Sequence, residues 1–83
     1  MSAITYSKSA LKVLRRLPAN EAARITTKVS QYAQDASSLG NNVKALKGSP
    51  YIRLRIGDWR VVMDDRGHVL AVIALGARGS IYD

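Results

Sequence analysis

Between Tyr51 and Ile56 apolar residues alternate with arginine: Ile52, Arg53, Leu54, Arg55, Ile56. A spacing of two is the period of a strand, whose successive side chains point to opposite faces. Ile52, Leu54 and Ile56 therefore share one face, and Tyr51, Arg53 and Arg55 the other. Gly57-Asp58 offers a tight turn, and Trp59-Arg60-Val61-Val62-Met63 reads as the next strand. A polar turn over Asp64-Asp65-Arg66-Gly67-His68 leads to a third run, Val69 to Leu75. Whether Arg60 joins Arg53 and Arg55 depends on the register of the hairpin, which alternation alone leaves open.

The N-terminal half has a different period. Residues 2–6, Ser-Ala-Ile-Thr-Tyr, fit a short strand. Ser7 is placed to cap a helix, since its hydroxyl can accept from an early backbone N–H. Apolar residues at 10, 11, 14 and 17 then predict one amphipathic stripe. Arg15 and Arg16 suit the C-terminal end of its dipole. Pro18 ends this helix or starts the next. A second stripe, Ala22, Ile25, Val29, Tyr32 and Ala33, runs within Asn20 to about Asp35, with Glu21 well placed near its start. The two helices read as an antiparallel hairpin. Residues 36–42, ASSLGNN, read as loop, and Val43 to Gly48 as a short basic lead into the strands.

These elements predict an α+β fold in a single domain, residues 1–83: an N-terminal strand, a helix hairpin and three antiparallel strands. Covering one sheet face with both helices is the economical packing. The arginine face must then be the wet one, because buried unpaired cations are very costly.

Composition changes this picture in two ways. Thirteen Lys and Arg against six acids give a formal charge of +7, which favours a polyanionic partner. There is no cysteine and one histidine, which excludes disulfides and zinc sites built on thiolates or imidazoles. No apolar run reaches the roughly 18 residues of a spanning helix. The N-terminus lacks the order of a signal peptide. A cytoplasmic protein with no membrane partner is the expectation.

The candidate chemistry lies with Arg53, Arg55, Arg60, Arg78 and Tyr82. Guanidinium forks bind phosphate oxygens in pairs and stay charged at any working pH. Several on one sheet face make a cradle for a phosphodiester backbone. Tyr51 and Tyr82 could stack on unpaired bases. Trp59 has the opposite parity to Arg60 and belongs with the core. Attack of an RNA 2′-hydroxyl passes through a phosphorane with extra negative charge, which fixed cations stabilise more than the ground state. That route needs no metal or other cofactor. Glu21 is the only glutamate and Asp64-Asp65 fall in a turn, so no carboxylate cluster for a metal pair stands out. The competing reading is that alternating arginines are solvated surface, discouraging edge pairing.

The segment LKGSPYIRLRIGDWRVVM, the polar turn, VLAVIALGAR and the tyrosine near the end resemble the RelE/ParE superfamily of type II toxin–antitoxin toxins. The resemblance covers nearly the whole chain. It implies one of two activities: cleavage of mRNA in the ribosomal A site, as in RelE-like members, or poisoning of DNA gyrase, as in ParE-like members. Carried over by residue, Arg60 matches the arginine after the turn, Arg78 the arginine after the last strand and Tyr82 the C-terminal tyrosine. The two basic strand positions fall on Arg53 and Arg55, or on Tyr51 and Arg53 if the turn is aligned without a gap.

The set Arg60, Arg78 and Tyr82 tilts the resemblance towards a ribosome-dependent mRNA endoribonuclease. Arg53, Arg60, Arg78 and Tyr82 are then its expected catalytic residues, and Arg55, Tyr51, Lys44 and Lys47 its RNA-binding ones. RelE-like enzymes can carry a strand lysine proposed as general base. Arginine is too weak a base for that task, which leaves Tyr82, Asp83 or a ribosomal RNA group as proton acceptor. His68, in the turn, reads as exposed and inert. The implied partners are the ribosome, mRNA and a cognate antitoxin with an acidic segment that folds on binding. DNA would be reached only through that antitoxin. The alternatives are a gyrase inhibitor and an inactive homologue kept as a corepressor.

Overall fold

The computed structural model describes residues 3–77. In chain order these form β1 (Ala3–Tyr6), α1 (Lys8–Arg16), α2 (Ala19–Gln34), a 3-10 segment (Ala36–Asn42), β2 (Val43–Ala45), β3 (Ile52–Ile56), β4 (Trp59–Asp65) and β5 (Val69–Ala77). The strands make one sheet in the order β1-β5-β4-β3-β2. β1 runs parallel to β5 and every other neighbour pair is antiparallel.

Ser7 begins α1 as expected: its Oγ accepts from the Ala10 N–H at 3.1 Å. Leu17, held extended by the proline that follows, ends it. Pro18 then starts α2 rather than lying within a helix. Ala10 from α1 and Ile25, Val29 and Tyr32 from α2 join Leu54, Ile56, Val61, Met63, Leu70, Val72 and Leu75 in one core. Both helices therefore cover the same sheet face.

The structure corrects four local readings. Leu11 is exposed, and Val13 takes its place beside Leu14 and Leu17 against the core. The stripe lies on the 10-13-14-17 side of the helix, and position 11 is turned about 100° from position 10. Residues 36–42 are a 3-10 segment that buries Leu39. Val43–Ala45 is an edge strand paired with β3, a strand too short and too polar to show as a period. Asp64 and Asp65 continue β4 instead of lying in the turn.

One irregularity governs β5. Val62 pairs with Ala74 but Met63 pairs with Val72, which leaves Ile73 as an extra residue. The buried positions Leu70, Val72 and Leu75 accordingly step by two and then by three. The Ile73 carbonyl accepts from the Ser7 hydroxyl at 2.7 Å. The serine that caps α1 thus also holds the bulge.

Tyr32 ties α2 to the end of β4, its hydroxyl donating to Asp65 Oδ2 at 3.4 Å. Burial, then the charge of Asp65 and the hydrogen bond to it, push the phenol above its ordinary 10.0. Burial raises Tyr6 in the same direction. A raised folded-state value means that the contribution is complete below the unfolded pKa and is lost as pH rises through the folded one. The urea midpoint is therefore expected to fall on titration from about pH 8 to about pH 11. Tyr32→Phe should flatten part of that fall, and an equally steep profile in the variant would contradict the assignment.

Candidate functional site

The face of the sheet away from the helices carries the cations. Arg55 pairs directly with Arg60, and Arg53 with Val62. Lys44 pairs with Arg53 from the other side. Register thus places Lys44, Arg53, Arg55 and Arg60 on one surface across three adjacent strands, which lie about 4.8 Å apart. Two of the cross-strand pairs, Arg55–Arg60 and Lys44–Arg53, are cation against cation. Like charges directly opposite destabilise a sheet, by up to about 1 kcal/mol on the scale of such pairs.

The turn between β3 and β4 makes the Arg55–Arg60 pairing possible. Only two residues connect the strands, and Ile56 pairs with Trp59. Gly57 has φ 58°, while Asp58 has no positive φ. Glycine first and positive φ at that position alone is the requirement of a II′ turn, whose twist matches the flanking strands. Arg55 is exposed, and Arg53 and Arg60 are half-buried. A cleft of about 130 Å³ lies between Arg55, Gly57, Asp58 and Arg60. A second, of about 160 Å³, runs along the β2 edge past Lys44, Arg53 and Arg55.

The remaining expected residues are placed as follows. Lys47 sits in the β2–β3 turn and Tyr51 just precedes β3, both at the far end of that strand from the Arg55–Arg60 pair. The Tyr51 carbonyl accepts from the Leu46 N–H at 3.0 Å, which closes the β2–β3 turn. Trp59 packs against the core and its indole N–H donates to Glu21 Oε2 at 3.2 Å. His68 is exposed, and its carbonyl accepts from Ala3 at 3.0 Å. Arg78, Tyr82 and Asp83 lie outside the described residues.

Two cations near this surface went unread in the sequence. Arg24 and Lys28 of α2 line a further cleft together with Arg55. Their signal was present in the chain: they are four apart, each one residue before a buried position, Ile25 and Val29. Cations at that spacing share a helix face at the border of the apolar stripe.

A family model described as the ParE toxin of the type II toxin–antitoxin system parDE matches residues 4–82. The chain belongs to this toxin family. Solved structures agree on the fold of the toxin. The RelE–RelB complex of Pyrococcus horikoshii OT3 contains a chain 22% identical, with TM-score 0.77 over 96% of this chain and 98% of that one. The isolated E. coli RelE toxin is 20% identical, with TM-score 0.75 over 98% and 88%. The RelB–RelE complex of Methanococcus jannaschii gives 24%, 0.73, 95% and 95%. Among curated proteins none matches the sequence. The resemblance read from the strands is thus that of a member of the RelE/ParE superfamily, and its α+β fold is that of the RelE structures.

Proposed function

We propose that this toxin is a RelE-like endoribonuclease that cuts mRNA on the ribosome. The observation that carries the reading is the placement of Lys44, Arg53, Arg55 and Arg60 on one sheet face, with Arg55 and Arg60 in direct register. In the proposed step the 2′-hydroxyl gives its proton to Tyr82, Asp83 or a ribosomal RNA group and its oxygen bonds to phosphorus, while the bond from phosphorus to the 5′-oxygen breaks. The products are a 2′,3′-cyclic phosphate and a 5′-hydroxyl, whose oxygen takes up one proton on leaving. Arg60 holds the scissile phosphate. Arg53 and Arg55 bind the backbone and offset the charge that builds up on the phosphorane. Arg78 and Tyr82 complete the set on the strength of the resemblance alone, Arg78 stabilising the same charge and Tyr82 orienting a base. The reading places the toxin in the cytoplasm, held inactive by an acidic antitoxin over the basic face or the helices. The RelB–RelE complexes among the structural relatives support such a partner.

The test is primer extension on mRNA from an in vitro translation reaction. Cuts within the message at stalled ribosomes are expected. Intact message on ribosomes that have nevertheless stalled would sink the proposal. A second reading, poisoning of DNA gyrase, is favoured by the matching family model being that of ParE. Toxin-dependent DNA breaks by purified gyrase, with message left whole, would decide for it.

A further inference from the structure

Arg55 borders not only the two clefts of the sheet face but also the third, which turns the corner of the β3–β4 hairpin towards α2. This one has a volume of about 230 Å³, and its rim is Arg24, Lys28, Asn42 and Arg55. No carboxylate lines it, although Asp58 lines the neighbouring cleft on the face. Among the described residues the side chains of Arg24, Lys28 and Arg55 make no ion pair or hydrogen bond. Three cations lining one cleft give it a positive potential that attracts an anion.

The corner is built for close approach. An added Cβ at Gly57 would lie 2.8 Å from Arg24 Nη2, so the guanidinium rests directly on the turn. Any larger residue at 57 would displace it. Asn42 Nδ2 donates to the Arg55 carbonyl at 3.4 Å, which ties the end of the 3-10 segment to β3. Arg24 offers a fork for two oxygens and Lys28, one turn along α2, a point charge.

We propose that Arg24 and Lys28, at the corner that Arg55 shares with the sheet face, form a second phosphate site, which holds RNA backbone beyond that face; these two residues take no part in bond breaking. The inference rests on the RNA-cleaving reading above. A phosphodiester fits better than an acidic peptide. The floor residues Leu39, Leu54 and Ile56 are only 6%, 1% and 4% exposed, so no apolar pocket is left for a peptide's anchor side chain. The site is also continuous with the cationic face through a shared residue, as a single backbone track requires. The phosphate could come from message flanking the cut or from the ribosomal RNA wall. The chemistry is the same and the experiment separates them.

The variants are Arg24→Ala with Lys28→Ala, and Arg24→Gln with Lys28→Gln, the second keeping side-chain bulk on α2. Binding of a single-stranded RNA oligonucleotide is measured by anisotropy over a salt series, and cleavage on message-programmed ribosomes in single turnover. Both variants should bind about tenfold more weakly, with a salt slope smaller by about 0.7 for each lost phosphate contact. The maximal cleavage rate should stay within about twofold, since the lost contact is equal in ground and transition states. Loss on free RNA assigns the site to message. Loss on ribosomes alone assigns it to ribosomal RNA. If wild type cuts message and both variants bind and cut as well as it does, the second site is wrong and the cleavage reading stands. A fall in the maximal rate as large as that from loss of Arg60 also overturns it. Weaker capture of an acidic peptide with RNA binding intact does so in favour of a protein partner. Wild type that neither binds nor cuts RNA overturns both readings.

Discussion

Arg60→Ala is expected to lower the maximal rate of message cleavage on ribosomes by about 10²- to 10³-fold, the range for removing one preorganised charge-stabilising donor. Three features single it out. Arg60 stands directly opposite Arg55, so a phosphate between them meets two guanidinium groups at once. It is half-buried, where a charge acts through less water than on an open surface. Its strand is central, flanked by β3 and β5, and a group on a rigid element is held in place before the reaction begins. Arg60→Lys keeps the charge and loses the fork, so it should recover only part of the rate. The diagnostic is the split between rate and binding. A cation that acts on the phosphorane lowers the rate at saturation, whereas one that only tethers RNA raises the concentration needed. If Arg60→Ala weakens binding and leaves the saturating rate unchanged, Arg60 is a tether and the chemistry must be sought elsewhere.

Leu54→Ala should be the most damaging change on the arginine-bearing strand, and Arg55→Ala next to it nearly silent for stability. Leu54 is 1% exposed in the core beneath the helices. Truncating a buried leucine removes its transfer energy and leaves a cavity, together about 2–5 kcal/mol. A domain of this length has on the order of 4–12 kcal/mol in total. The variant therefore sits close to unfolding, and its urea midpoint should drop steeply with little change in slope. Arg55 points the other way and is exposed. Its removal should move stability by no more than about 0.5 kcal/mol, and towards stabilisation, because the facing Arg60 loses a like charge. Comparable losses in the two variants would contradict the assignment of faces.

The separation of those faces is legible in the sequence. Strict alternation in Ile52–Ile56 has only one physical reading, and the cost of burying arginine decided which side is wet. Ser7 as cap, Pro18 as boundary and Ile25, Val29 and Tyr32 as a buried stripe are local in the same sense. Each follows from the chemistry of a few neighbours along the chain. The α1 stripe departs from that reading at Leu11, a large apolar residue that borders the buried side without joining it, and at Val13, which joins in its place.

What the chain could not disclose is whatever depends on partners distant in sequence. The direct pairing of Arg55 with Arg60 needs the turn to be two residues long with positive φ at Gly57, a fact of backbone geometry. β2 is an edge strand of three residues, and its place beside β3 comes from the ladder rather than from its composition. Lys44 reaches the basic face only through that pairing. The bulge at Ile73 breaks the alternation that parity arguments rely on, and it is held by Ser7, 66 positions away. Arg24 and Lys28 likewise become part of the basic surface only because α2 packs beside the β3–β4 turn. Sequence alone thus determined the family, the two faces of the sheet and the sign of the charge on one of them. Register, edge pairing and helix placement, set by long-range packing, decided which of those charges stand together.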